Sequence, residues 1–110
     1  MKKTTLVTIK GAMPGMNEFI GAMQKHRLVG AQMKAEQTYI AKLAALKAMK
    51  FTNPVTFVFT WFEKDERRDP DNVVFAKKFI LDGLVAAGVI PNDTRKYVRG
   101  WRESVETDRL

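Results

Sequence analysis

Asp69 and Asp71 flank a single proline, Pro70, and a third acid, Asp93, follows the apolar stretch beyond them. Proline fixes its own φ and pushes the residue before it toward extended backbone. Two carboxylates one residue apart at the mouth of a helix can therefore converge on one cation. Carboxylate oxygens, with water and phosphate completing the shell, suit Mg²⁺ or Mn²⁺. Such a cation polarises a phosphodiester, lowers the pKa of water and neutralises a leaving oxygen. A nearby lysine can stabilise the negative charge that develops. On an idealised helix Asp71, Lys78 and Asp82 fall on one side, since the offsets of 7 and 11 residues are close to two and three turns. A plainer reading uses the same residues. Asp69 and Asp71 cap a helix and complement its dipole, and Lys78 with Asp82 forms a surface i,i+4 pair.

Composition narrows the chemistry further. The chain has 110 residues, no cysteine and one histidine, His26. Disulfide scaffolds, thiolate zinc sites, cysteine nucleophiles and His-rich zinc sites are excluded. No apolar run approaches the roughly 20 residues of a membrane span. The basic start is followed only by short apolar pieces broken by Lys10 and Pro14, unlike a signal peptide, so a soluble intracellular protein is expected. The formal charge is +7. Residues 1–50 carry nine Lys/Arg against two acids, and residues 51–110 carry ten of each. All the excess charge thus sits in the first half, and a basic body of this kind favours polyanions, nucleic acid first. Lys34 and Lys42 are its candidate phosphate contacts, together with Arg68 and Lys77 beside the acids.

These residues need elements to position them. Residues 3–10 are rich in β-branched side chains and bounded by Gly11 and Pro14, which predicts a strand. Pro14–Asn17 reads as a turn, with Asn17 able to cap the next segment. Residues 18–29 have weak helical character, broken by Gly21 and Gly30. Residues 31–49 predict a stronger helix with Ala35, Tyr39, Leu43 and Leu46 as its apolar stripe. Residues 55–62 alternate Val55, Phe57, Phe59 and Trp61 with Thr56, Val58, Thr60 and Phe62; neither face is strongly polar, which predicts a strand near the sheet centre. A second helix runs from about Asn72 to Ala87 and stops at Gly88. Residues 95–102 predict a third strand. The order is β-α-β-α-β, an α+β single domain with a mixed sheet packed against two helices. The methionines read as core filler, Trp61 and Trp101 as core or interface anchors, and His26 as a solvated surface residue.

One distance is awkward. The turn after a helix of that length lies about 25 Å from its start. Asp93 therefore reaches the other two acids only through loop geometry or from a second subunit.

The pattern resembles the RusA family of Holliday junction resolvases, commonly encoded by phages and prophages. The resemblance rests on Arg68-Asp69-Pro70-Asp71-Asn72, on Lys78 through Leu84 with Asp82 inside it, and on Ala87-Gly88-Val89-Ile90-Pro91-Asn92-Asp93. The family has an Asp-x-Asp-Asn, a lysine four residues before a helical Asp, and a further Asp eleven residues after it, the spacing of Asp82 to Asp93 here. Pro14-Gly15-Met16-Asn17 is similar to the family's Pro-x-x-Asn opening. The similarity is strongest over residues 67–98 and diffuse over 5–60.

The resemblance implies a RusA-like endonuclease domain over residues 1–110. It implies a homodimer that binds four-way DNA junctions and cuts two strands symmetrically with Mg²⁺ or Mn²⁺, serving recombination and repair in the cytoplasm of a bacterial host. Asp69, Asp71 and Asp93 would hold the metal. Lys78 would match the essential lysine and Arg68 the basic residue before the acids. The family's lysine lies about three residues closer to the Asp-x-Asp-Asn, which leaves Lys77 as an alternative carrier. Relatives generally continue into another strand beyond the position of Leu110. Two other readings stand beside this one. The first is a non-catalytic phage DNA-binding protein of the same fold. The second is a small structural interaction module.

Overall fold

A computed structural model describes residues 3–107. Six elements follow in order: α1 (Met16–Lys25), α2 (Arg27–Ala44), β1 (Val55–Glu63), α3 (Pro70–Val74), α4 (Lys77–Ala86) and β2 (Val98–Thr107). The class is α+β, as expected. The arrangement is not the expected β-α-β-α-β mixed sheet. The sheet has two strands, β1 and β2, and they run parallel. A parallel pair cannot be joined by a hairpin, and α3 and α4 form the crossover.

Residues 3–10 belong to no strand. Leu6, Val7, Thr8 and Ile9 instead line a cavity of about 190 Å³ with Val58, Thr60 and Phe62 of β1. Thr5 accepts a hydrogen bond on its hydroxyl from the Met49 N–H at 3.2 Å. β-Branching favours the strand backbone locally, but a ladder needs a partner's N–H and C=O groups in register.

β1 is consequently not a central strand. Phe57, Phe59 and Trp61 point inward, and their rings stack in sequence at 5.6 and 5.7 Å. The alternate residues face out, with Val58 73% and Phe62 65% exposed. The inner face packs on Val73, Ala76, Phe79 and Leu81 of the crossover. A second cluster joins Ala45, Leu84, Val89, Ile90 and Val98.

The long helix expected over 31–49 begins earlier, at Arg27, and ends earlier, at Ala44. His26 separates it from α1 in extended backbone (φ −171°, ψ 144°) and accepts the Leu28 N–H on Nδ1 at 3.1 Å. The solvated histidine is therefore also a cap. The expected stripe on α2 is not its buried face. Tyr39 and Leu43, and Leu46 in the turn after the helix, are about half exposed, while Gly30 and Ala41 are buried. Small residues let the neighbouring helices approach closely, and this brings the buried side of α2 to α1 and α4 and turns the bulky side outward.

The single helix expected over 72–87 is two. Phe75 and Ala76 form a turn between α3 and α4, with i→i−3 bonds from Ala76, Lys78 and Phe79. Tighter turns of this kind advance the chain faster than α-helix does. The phase that would place Asp71 in line with Lys78 is lost there. Phe75 uses the turn to pack on Phe19 and Phe79, with ring centroids at 5.5 and 5.9 Å.

Candidate functional site

Pro70 occupies the first position of α3, where its missing N–H costs nothing. Asp69 precedes it in extended backbone (φ −66°, ψ 150°). Asp69 stands at the N-cap but makes no capping bond with its side chain. Asp71 accepts only a local bond in the cap region, from the Asn72 N–H at 2.9 Å. Both carboxylates are exposed. Asp69 is therefore not a side-chain helix cap, the role the plainer reading assigned to it.

Asn72 is the buried polar member of this turn, 7% exposed. Its Oδ1 accepts the Asn17 N–H at 2.8 Å. That amide is one of the unpaired donors at the start of α1. The N-cap of α1 is Gly15 and has no side chain to offer, so Asn72 caps α1 from 55 residues away. Asn17 is thus the capped residue and not the cap expected for it. A Cβ on Gly15 would lie 2.7 Å from both the carbonyl oxygen and Oδ1 of Asn72, and only glycine leaves room for this contact.

Lys78 and Lys77 part ways in the first turn of α4. Lys78 donates to Asp93 Oδ2 at 2.9 Å and to Asp82 Oδ1 at 3.0 Å. These bonds, Asp93 first, hold its ammonium above the ordinary lysine range. The same hydrogen bond holds the Asp93 carboxyl below the ordinary range. Lys77 turns to the sheet. It pairs with Glu103 of β2 and lies 4.4 Å from the centroid of the Trp101 ring. Its side chain is only 17% exposed, so the phosphate contact expected of it meets a cation already engaged inside the fold.

The chain end of α4 explains how Asp93 arrives. Gly88 adopts φ +79°, and Val89 and Gly88 donate to Leu84 and Val85 at 2.9 and 3.0 Å. This is a Schellman ending, which reverses the chain. From Lys78 to Gly88 the rise is about 15 Å, and five residues of open chain can span about 17 Å. The segment 88–93 can walk back along α4 to Lys78. The 25 Å separation from the helix start does not apply to Lys78, which lies in the first turn of α4.

Asp69 and Asp71 are not joined to this ion pair. Their carboxylate oxygens suit a hard cation, but among the described residues no three His, Cys, Asp or Glu side chains are grouped to hold a metal ion. Arg68, the basic residue before the acids, is paired too. Its Nε and Nη2 grip Glu63 at 2.7 and 2.9 Å, and Nη1 reaches Glu18 at 3.1 Å and the Met13 carbonyl at 3.1 Å. These carboxylates raise the Arg68 pKa, Glu63 most.

Lys34 and Lys42 remain on the surface of α2. With Ala31, Ala35, Tyr39 and Asp82 they line an open groove of about 480 Å³. Lys34 Nζ lies 4.0 Å from Asp82 Oδ2, so the groove runs up to the Lys78 pair. Sequence reasoning missed Glu18 and Glu63 as site-building residues, and it held Asn72 only as the last residue of the Asp-x-Asp-Asn motif. The capping box offered a signal, because Glu18 stands three residues after Gly15 and accepts its N–H at 3.1 Å. No helix of the described residues is long and apolar enough to cross a membrane. No family model, curated protein or solved structure matches the chain.

Proposed function

We propose that the chain is a metal-dependent, structure-selective endodeoxyribonuclease acting on four-way DNA junctions as a homodimer. The observation that carries the reading is the Lys78–Asp93 contact at 2.9 Å. Two residues that the RusA resemblance assigns to one active site, 15 residues apart in sequence, lie side by side in one protomer. Asp69 and Asp71 support it by standing exposed at a proline-fixed turn, with Asp69 not used as a side-chain cap.

In this reading Asp69, Asp71 and Asp93 would hold Mg²⁺ or Mn²⁺, although the described residues do not group the three. The cation, when bound, supplies Lewis-acid activation of the phosphodiester. Lys78 supplies positive charge to the phosphate as negative charge grows on it. Lys34 and Lys42 contact the backbone of a DNA arm along the α2 groove, which reads shape and not bases. A second copy supplies the symmetry that paired incisions need. The outward apolar residues of α1 and α2, among them Met23 at 44% and Leu28 at 65% exposure, are the candidates for that contact.

The test is incubation of the purified protein with a labelled four-way junction and a matching linear duplex, in Mg²⁺ and in EDTA. Paired nicks in the junction alone, and in Mg²⁺ alone, are expected. Salt-sensitive junction binding without cutting would instead favour the non-catalytic DNA-binding protein.

A further inference from the structure

We propose that Arg68 is a positioning residue in this chain, one that locks the Asp69–Asp71 turn onto the end of β1 and the start of α1, and that it does not contact DNA phosphate. The proposal rests on the nuclease reading for its catalytic consequence but not for the lock itself.

A guanidinium has five N–H donors in a rigid fork. Two of them form a bidentate pair with Glu63, the last residue of β1. A third arm reaches Glu18 in the first turn of α1 and the carbonyl of Met13 before it. The side chains of Arg68 and Glu63 are only 21% and 13% exposed. The end of β1, five residues upstream, and the distant 13–18 region are thus tied at one side chain, which sits immediately before Asp69. Immediately after Asp71, Asn72 makes the second tie, capping α1 through the Asn17 N–H at 2.8 Å. Asp69-Pro70-Asp71 is the whole span between two anchors. Pro70 removes one of the few torsions left in it.

Charge argues the same way. One arginine faces two glutamates, so the cluster is net negative before Asp69 and Asp71 are added. A phosphate approaching Arg68 would meet that excess, and the fork that would grip it in bidentate fashion already grips Glu63. Lysine has the charge without the fork and cannot make these bonds together.

The experiment compares wild type, Arg68→Ala, Arg68→Lys and Glu63→Gln. Hydrogen exchange of the protein alone, followed by mass spectrometry, reads the peptides covering 13–19 and 69–75. Exchange there should speed by about 10-fold or more in all three variants, with exchange over α4 unchanged. Junction cutting at saturating DNA should fall by about 10²-fold, the scale of a small misplacement of reacting groups. Junction affinity and its salt slope should stay at the wild-type value in Arg68→Ala. Glu63→Gln removes a negative charge and should nonetheless lose cutting without gaining affinity. The proposal is overturned if exchange is unchanged in the variants. It is also overturned if Arg68→Ala weakens junction binding, lowers the salt slope by about one, and is rescued by lysine. Faster exchange in variants of a protein whose wild type cuts no junction in Mg²⁺ would leave the lock standing and remove the nuclease reading. Arg68→Lys and Glu63→Gln keep the test open should Arg68→Ala fail to fold.

Discussion

Lys78 and Asp93 meet at 2.9 Å, although a helix end and a reversing turn separate them in sequence. Lys78 also holds Asp82 one turn further along α4, so a single ammonium bridges the helix and the loop that returns to it. Its neighbour Lys77 points to the sheet and Trp101. A rotation of about 100° per residue is enough to separate the two roles.

Lys78→Ala should therefore lower junction cutting by about 10²-fold or more with little change in binding, if its charge acts on the developing phosphate negative charge. Lys77→Ala should instead act through stability. It removes a cation from an aromatic face and from Glu103, a loss of about 1–2 kcal/mol. Single-turnover cutting and denaturant unfolding of the two variants make the comparison. Catalytic loss confined to Lys77→Ala would reverse the assignment.

Asp71→Asn should abolish cutting and leave junction binding intact or tighter. The substitution removes a cation ligand and a negative charge that faces phosphate. Cutting in Mg²⁺ and gel-shift affinity in EDTA provide the two readouts, and wild-type cutting by this variant would remove Asp71 from the metal site.

The Lys78–Asp93 pair should also mark the pH dependence of stability. The Asp93 carboxyl titrates below its ordinary value in the fold because Lys78 donates to it. Its contribution is present above the unfolded pKa, about 3.9, and is lost as pH falls through the lower folded value. Lys78 titrates above its ordinary value. Its contribution is complete below about pH 10.4 and is lost as pH rises through the folded value. Thermal unfolding of wild type and Asp93→Asn should accordingly differ at pH 5 to 8 and converge toward pH 2. A gap that stays constant down to pH 2 would mean that the pair adds no pH-dependent stability.

Gly88→Ala should destabilise the protein by about 1–2 kcal/mol, because φ +79° is costly for a residue with a Cβ. The same change should loosen the 88–93 return and lower cutting more than stability alone explains. Chemical denaturation paired with cutting at a temperature where the variant is fully folded distinguishes the two effects.

Sedimentation of active protein at micromolar concentration should give a species of twice the 12.5 kDa chain mass. Active protein that sediments only as the monomer would contradict the paired-incision reading.

Local features of the chain were readable from residue types alone. Pro70 at the start of a helix, Gly88 at the end of one, and the alternation of β1 each depend on a residue and its immediate neighbours, through φ restriction, a missing Cβ or the period of two. Lys78 facing Asp82 followed from helical spacing. Which surfaces meet was not determined at that level. α2 buries Gly30 and Ala41 and exposes Tyr39 and Leu43, since close helix approach selected small residues over apolar ones. The turn at Phe75–Ala76 broke the ideal helix because ring packing on Phe19 and Phe79 determined the phase there. Residues 3–10 have strand composition and no ladder, because pairing depends on a partner edge as well as on propensity. Arg68, Glu63, Glu18 and Asn72 became one framework around the Asp69–Asp71 turn only through contacts spanning up to 55 residues. Hydrogen bonds of that range depend on where the whole chain folds back, and no local pattern of residues encodes them.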